Sequence, residues 1–123
     1  DNILYGVAQL VIEKASGRWI GRLGPWQPEG WPGPEVGWGL AREAWGRGYA
    51  LEGATAAMDW AFDRLGWTDV IHSIDRDNTA SQALAVRLGS RNRGPGRLPE
   101  PFQDVPIEIW GQTREEWRRR RRA

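Results

Sequence analysis

The sequence predicts a single domain of the α/β (α+β) class. Its first third alternates apolar and polar residues with a period of two, and the turn segment "ASG" separates two such stretches as in a β-hairpin. From Leu51 the apolar residues recur with the period of a helix. A short strand, a second helix and a last strand follow, and 123 residues suffice for one modest hydrophobic core.

The first half of the chain contains three predicted strands, "ILYGVAQLVIEK", "RWIGRLGPW" and "EVGWGLA", the third following the Pro/Gly loop "QPEGWPGP". Period two divides the third strand into a face with Val36, Trp38 and Leu40 and a face with Glu35, Gly37, Gly39 and Ala41. Glu35 therefore shares its face with a track that has almost no side chains. Such a track either binds an extended ligand or receives a closely packed helix or strand.

The second half predicts two helices. The first begins at Leu51, ends at Gly66 and has the apolar stripe Leu51, Met58, Phe62 and Leu65. The second has Asn78 as its N-cap, Gly89 as its end and the stripe Ala80, Leu84 and Leu88. The strand "DVIHSI" lies between them. After the second helix, "RNRGPGRLPEPFQD" predicts a long loop and "VPIEIWGQ" a last strand.

Composition excludes several classes of protein. The chain has 40% hydrophobic residues, no apolar run near the ~20 residues of a membrane span, and no Cys, so we expect a soluble cytoplasmic protein without membrane contact. One His without Cys argues against a metal site. Five of the cations are Arg118–Arg122. We expect residues 118–123 to form a disordered basic tail after a domain of residues 1–117, and we do not expect nucleic acid as a partner.

The stretch "REAWGRGYALEGA" places two glycines and an arginine where the first helix begins. Gly46 and Gly48 let backbone approach a ligand, the helix start supplies unpaired N–H groups and a positive dipole end, and Arg47 adds charge. This combination suits a phosphate or pyrophosphate, although turn geometry alone also requires glycine. The spacing does not match a Walker A loop, and a dinucleotide fingerprint needs a third glycine where Leu51 stands.

The segments "EVGWGLAREAWGRGYALEGA", "DRDNTASQALAVRLGS" and "IWGQTREEW" together resemble the GNAT N-acetyltransferases, and most closely their RimJ/RimL-like branch, the ribosomal-protein N-terminal acetyltransferase type. The resemblance covers Ile3 to Trp117. It implies a GNAT-like fold, with a mixed, mostly antiparallel central sheet and helices packed on it. It also implies that acetyl-CoA is the co-substrate and that a primary amine attacks the thioester directly.

The same resemblance implies which residues bind acetyl-CoA. The turn from Trp45 to Ala50 would bind the pyrophosphate through backbone N–H groups, and Asn78 and Ser81 would reach the pantetheine arm, although Asn78 serves equally well as a helix cap. Family members often have Gln or Arg where this chain has Glu43. The implied cofactor-binding residues are Leu40, Ala41, Trp45, Gly46, Arg47, Gly48, Tyr49, Ala50, Asn78 and Ser81.

Glu35 is the predicted catalytic residue. Acetyl transfer needs a neutral amine, and because amines titrate between ~7.7 and ~10.4, a general base should remove a proton. Apolar surroundings could raise the pKa of Glu35 toward that task, although Glu at a strand start is often structural. The second helix lacks the tyrosine that family members often use, so the general acid is unassigned. His72, on a strand, is expected to be structural or exposed rather than catalytic.

The resemblance leaves alternatives open. The strand and two helices that usually open a GNAT domain have no counterpart here, so the chain is a fragment, dimerises, or binds CoA without catalysis. The Trp-rich segment Trp26–Trp38 either grips peptides, sugars or a second subunit, or fills core. An acetyltransferase, a catalytically silent CoA-binding or interaction module, and a Trp-rich scaffold for peptides or sugars are the three candidate functions. The acceptor, a protein N-terminus or a small amine, is not determined.

Overall fold

The computed structural model describes residues 9–12, 19–40 and 48–122, with side chains for residues 21–39 and 48–122. Within these ranges strands and helices alternate much as the periodicity predicts. Their order along the chain is β1 (Gln9–Ile12), β2 (Trp19–Trp26), β3 (Glu35–Leu40), α1 (Tyr49–Asp63), β4 (Asp69–Asp75), α2 (Thr79–Leu88), β5 (Arg91–Gly96), β6 (Ile107–Thr113) and α3 (Arg114–Arg122).

The six described strands form one sheet in the order β1-β2-β3-β4-β6-β5. Neighbouring strands run antiparallel, as hairpins and short connections allow, except for the parallel pair β3 and β4. The chain crosses from β3 to β4 through α1, which is the connection that a parallel pair requires. The predicted α/β class, with a mixed and mostly antiparallel sheet, is confirmed.

The core lies between the sheet and α1. Val36 on β3 and Met58 on α1 are fully buried, and Phe62 is 1% exposed, so the predicted stripe of the first helix faces the sheet. The helix begins and ends earlier than predicted, at Tyr49 and Asp63. In α2 the predicted Leu84 and Leu88 are buried, but Ala80 is exposed and Ala85 takes its place in the core.

The predicted long loop after α2 is wrong in its first part, because β5 occupies Arg91–Gly96. Glycine and proline usually argue against a strand, but an edge strand tolerates them because one of its sides pairs with no strand. β5 lies at the edge of the sheet beside β6, with an irregular register between Asn92 and Pro95. Residues 97–106 then form the loop to β6.

The predicted disorder of the basic tail is also wrong, because Arg114–Arg122 form α3. Thr113 and Glu116 make a reciprocal capping box: each side chain accepts from the other residue's backbone N–H, at 3.1 and 2.9 Å. Trp117 is buried against Phe62 and donates its indole N–H to Asp59 at 2.8 Å. Arg121 adds an ion pair to the same Asp59 at 3.0 Å. These contacts attach the arginine run to α1.

Candidate functional site

The glycine-containing turn ends at the start of α1. Gly48 is the N-cap residue, with φ 78° and ψ 3°, a left-handed conformation that favours glycine. A Cβ at Gly48 would meet no described atom within 4 Å, so backbone conformation rather than crowding explains the glycine. Tyr49 and Ala50 are the first two residues of the helix, so the positive end of its dipole lies at this turn. Ala41, Trp45, Gly46 and Arg47 lie outside the described residues.

Strands β3 and β4 pair at only one recorded position and then separate. Glu35 is opposite Ile71, and the Ile71 N–H donates to the Pro34 carbonyl at 2.9 Å. Because a parallel ladder advances by two residues on each strand, the next such bond would join the Ser73 N–H to the Val36 carbonyl. Both groups instead bond to side chains. The sheet therefore opens between β3 and β4 immediately beyond Glu35.

The Glu35 carboxylate accepts the hydrogen bond from the β4 N–H group that has no ladder partner on β3. One oxygen accepts from the Ser73 backbone N–H at 3.0 Å, and the other accepts from the indole N–H of Trp31 at 2.7 Å. Glu35 is 7% exposed, and burial raises the pKa of its carboxyl group, an effect that the two hydrogen bonds partly offset. The raised pKa agrees with the prediction made from its apolar flanks.

The track beside Glu35 is open along β3. A Cβ at Gly37 would lie 3.5 Å from a Glu35 carboxylate oxygen, and a Cβ at Gly39 would meet no atom of the described residues within 4 Å. Val36, on the opposite face, belongs to the core formed with α1, which confirms the predicted division of the strand. The last strand residue, Leu40, has a described backbone only. An extended ligand could therefore lie along this track without displacing any side chain that the structure describes.

The His72 imidazole donates a hydrogen bond to the β3 carbonyl group that has no ladder partner on β4. Its Nδ1 lies 2.8 Å from the Val36 carbonyl oxygen, which can only accept, so Nδ1 carries the proton. Nε2 lies 2.8 Å from the Ser90 hydroxyl and accepts from it. Ser90 in turn accepts from the Gln112 amide at 2.9 Å. Burial is the main reason that the pKa of His72 falls to about 4, so the ring is neutral near pH 7.

The start of α2 is joined to β3 by a side-chain bond. The Trp38 indole N–H donates to the Ser81 hydroxyl at 3.1 Å, and the Ser81 backbone N–H donates to the Asn78 side chain at 3.1 Å. Asn78 is thus a helix cap, as one of the two sequence interpretations expected. Ser81 accepts from Trp38 and keeps its hydroxyl proton for a further acceptor.

These contacts show which predicted residues meet. Glu35 lies at the edge of the opening. Trp38 on β3 connects it to the start of α2, where its indole bonds to Ser81 and Ser81 bonds to Asn78. Sequence reasoning missed Trp31 and His72 as partners of this opening. Trp31 also packs edge-on against Trp26 at 6.1 Å, so these tryptophans have internal partners. The alternation of the strand "DVIHSI" indicated which face His72 occupies, but not its partners on β3 and after α2.

Comparison with known proteins agrees with this geometry. Residues 2–91 match the family model described as an acetyltransferase (GNAT) domain. The chain belongs to the GNAT acetyltransferase family. Members of this family use acetyl-CoA as co-substrate and transfer the acyl group to amines. No helix in the described part of the chain is long and apolar enough to cross a membrane. Residues 9–12, 19–40 and 48–122 contain no cluster of three or more potential metal ligands.

Two curated relatives and one solved structure illustrate the similarity of this GNAT chain. YkkB, an uncharacterized protein of Bacillus subtilis, is 36% identical over 88 residues, which are 69% of this chain and 51% of YkkB. FsC-acetyl coenzyme A-N(2)-transacetylase of Aspergillus fumigatus is 33% identical over 89 residues, or 69% of this chain and 38% of the relative. The chain spans about half or less of these relatives.

The structural similarity extends further along the chain. An acetyltransferase from Agrobacterium tumefaciens superposes with a TM-score of 0.66 at 32% identity, over 80% of this chain and 55% of that protein. The GNAT domain described here therefore shares the fold of a larger acetyltransferase, of which it spans just over half.

Proposed function

We propose that this GNAT domain is an acetyl-CoA-dependent N-acetyltransferase that moves an acetyl group to a primary amine by direct attack on the thioester. The opening between β3 and β4, with a buried carboxylate and a side-chain-free track at its edge, is the main support. The Aspergillus relative is by name an acetyl coenzyme A-N(2)-transacetylase. We place the chain in the RimJ/RimL-like branch on the ordered motifs of its sequence, with a protein N-terminus or a small amine as acceptor.

The residues of this site fit acetyl-CoA. The left-handed Gly48 at the start of α1 leaves a cradle that a β-branched side chain would strain, and backbone N–H groups there suit a pyrophosphate. The open track at Gly39 and the remaining donor of Ser81 suit an amide-containing pantetheine arm. The proposed turn also includes Trp45, Gly46 and Arg47. When bound, acetyl-CoA supplies the activated acetyl group.

Glu35 is the proposed general base, acting directly or through water. Its carboxylate is held on both oxygens, yet each oxygen retains a lone pair that can take a proton. Its raised pKa brings its proton affinity closer to that of an amine, which favours proton transfer near neutral pH. Trp31 and the Ser73 N–H fix the carboxylate at the edge of the opening.

The test of this role must separate basicity from hydrogen bonding. Glu35→Gln alone puts an amide NH₂ against either the Trp31 N–H or the Ser73 N–H, because both oxygens of Glu35 accept. In a Trp31→Phe background, the Gln oxygen can still accept from Ser73 while its NH₂ faces no indole donor. The comparison of Trp31→Phe with Trp31→Phe/Glu35→Gln therefore reports mainly the loss of the base.

We expect the double variant to bind acetyl-CoA like Trp31→Phe but to turn over ~10²–10⁴-fold more slowly at pH 7. The deficit should shrink as pH rises, because more of the acceptor amine is then already neutral. The rate is measured by monitoring the release of CoA during acetylation of spermidine and of a peptide with a free N-terminus. Equal turnover of the two variants at pH 7 would assign Glu35 a structural role.

A catalytically silent CoA-binding module is the second candidate. The two hydrogen bonds to Glu35 favour this candidate, because accepting from the Ser73 N–H and the Trp31 indole is by itself a sufficient reason for a carboxylate at this position. Binding of acetyl-CoA without acetylation of either acceptor would support this second function over the first.

A further inference from the structure

The His72 ring lies where β3 and β4 would otherwise continue to pair. The ring centroid is 4.8 Å from that of Trp38, and Nδ1 is 2.8 Å from the Val36 carbonyl oxygen. His72 belongs to β4, whereas Val36 and Trp38 belong to β3. The side chain of one strand therefore bonds to the backbone of the other at the position where their backbones part.

Both backbone groups of the missing ladder bond are satisfied without closing the sheet. The Ser73 N–H donates to Glu35, and the Val36 carbonyl accepts from His72. A buried backbone group without a partner is strongly unfavourable. If either side chain were lost, the freed group would gain by pairing with its counterpart on the other strand. The two side chains thus remove the driving force for the strands to zip together.

The far side of the ring is held from outside the opening. Nε2 accepts from Ser90, which follows the C-cap residue of α2, and Ser90 accepts from Gln112 on β6. The same Gln112 amide donates to the Leu88 carbonyl at 3.0 Å. Since Ser90 and Gln112 are 5% and 1% exposed, this chain of bonds is internal. It fixes the tautomer of His72 and directs its Nδ1–H at β3.

We propose that His72 is a positioning residue that keeps β3 and β4 apart at Val36 before the cofactor binds, so that the pantetheine arm of acetyl-CoA enters a preformed opening. This inference rests on the proposed function of the site. His72 acts through the Val36 carbonyl, and neither donates nor accepts a proton in the reaction. A preformed opening spares the binding step the cost of separating two paired strands.

Asn and Leu at position 72 form a matched pair for the test, since they are similar in size and differ in whether they can donate a hydrogen bond. In His72→Asn the amide NH₂ stands near the position of Nδ1 and can still donate to Val36, whereas in His72→Leu it cannot. Both lose the bond to Ser90. We expect calorimetry to give His72→Asn an acetyl-CoA Kd within about threefold of wild type, and His72→Leu a Kd about tenfold weaker than that of His72→Asn.

The outcomes separate two failures. If wild type does not bind acetyl-CoA, the proposed function is overturned, and this inference with it. If wild type binds and the Asn and Leu variants have the same Kd, the positioning role alone is overturned. Should either variant fail to fold, scalar couplings across hydrogen bonds in the wild-type protein decide. We expect a coupling from the Ser73 amide nitrogen to the Glu35 carboxylate carbon, and a coupling to the Val36 carbonyl carbon would refute the proposal.

Discussion

Burial of a neutral His72 makes the stability of the domain depend on pH in a defined window. The pKa of His72 is lowered from 6.5 to about 4, first by burial and further by the charge of Arg93, while the Val36 bond and Asp69 act in the opposite direction. Between these two values the unfolded chain binds more protons than the folded one. The stability contributed by neutral His72 is therefore complete above pH 6.5 and is lost as pH falls toward 4.

The size of this loss follows from the two pKa values. At ~1.4 kcal/mol for each pKa unit, the gap between 6.5 and about 4 makes the free energy of unfolding fall by about 3 kcal/mol between pH 7.5 and pH 4. His72→Asn has no group that titrates at this position, so it should lack this part of the dependence. The contribution of Glu35 to the pH dependence of stability has the opposite sign, because its pKa is raised in the folded protein. Both proteins contain Glu35, so this contribution cancels in the difference between their free energies of unfolding.

Urea unfolding followed by tryptophan fluorescence measures the free energy of both proteins at fixed ionic strength from pH 4 to 7.5. We expect the stability advantage of wild type over His72→Asn to shrink by about 3 kcal/mol toward pH 4. Parallel curves for the two proteins would mean that the pKa of His72 is the same in the folded and the unfolded chain, as for a ring accessible to solvent, and would refute the buried neutral ring.

Two further predictions concern the turn and the last helix. Gly48→Val should cost about 1–3 kcal/mol of stability through backbone strain and abolish acetyl-CoA binding in calorimetry. The control Gly66→Val introduces similar strain, at φ 72° and with open space around it, so it should lose stability but bind acetyl-CoA like wild type. Equal acetyl-CoA affinities of the two variants would contradict the cradle at Gly48. Thermal unfolding should show that Trp117→Ala lowers the free energy of unfolding by about 3–5 kcal/mol, because a buried indole is lost. Arg118→Ala removes only an exposed ion pair with Asp63 and should lower it by at most ~1 kcal/mol. Equal losses would mean that α3 does not pack on α1.

Local patterns were sufficient to predict most of the elements. Period two divided β3 correctly into a core face with Val36 and an open face with Glu35, because each residue's side follows from its neighbours alone. Asn78 was recognisable as a cap for the same reason. The capping box of Thr113 and Glu116 was equally legible in the sequence, but the arginine run after it suggested a solvated tail.

Long-range contacts account for what the sequence did not predict. β5 contains Gly and Pro and exists because β6 offers it an edge to pair with. The partners of His72 come from β3, from the end of α2 and from β6, and only the register of the sheet brings them together. Trp31 likewise reaches Glu35 through the geometry of the preceding loop. No periodicity along the chain specifies such meetings.

Binding of acetyl-CoA to the 123-residue chain is the most direct test of the proposed site. A ligand present at 100 times its Kd stabilises a protein by ~2.7 kcal/mol, which is readily measured as a rise in melting temperature. Thermal unfolding with acetyl-CoA should show this rise, and the same concentrations of NAD or ATP should not produce it. No shift with acetyl-CoA, or an equal shift with all three ligands, would contradict a specific acetyl-CoA site between β3 and β4.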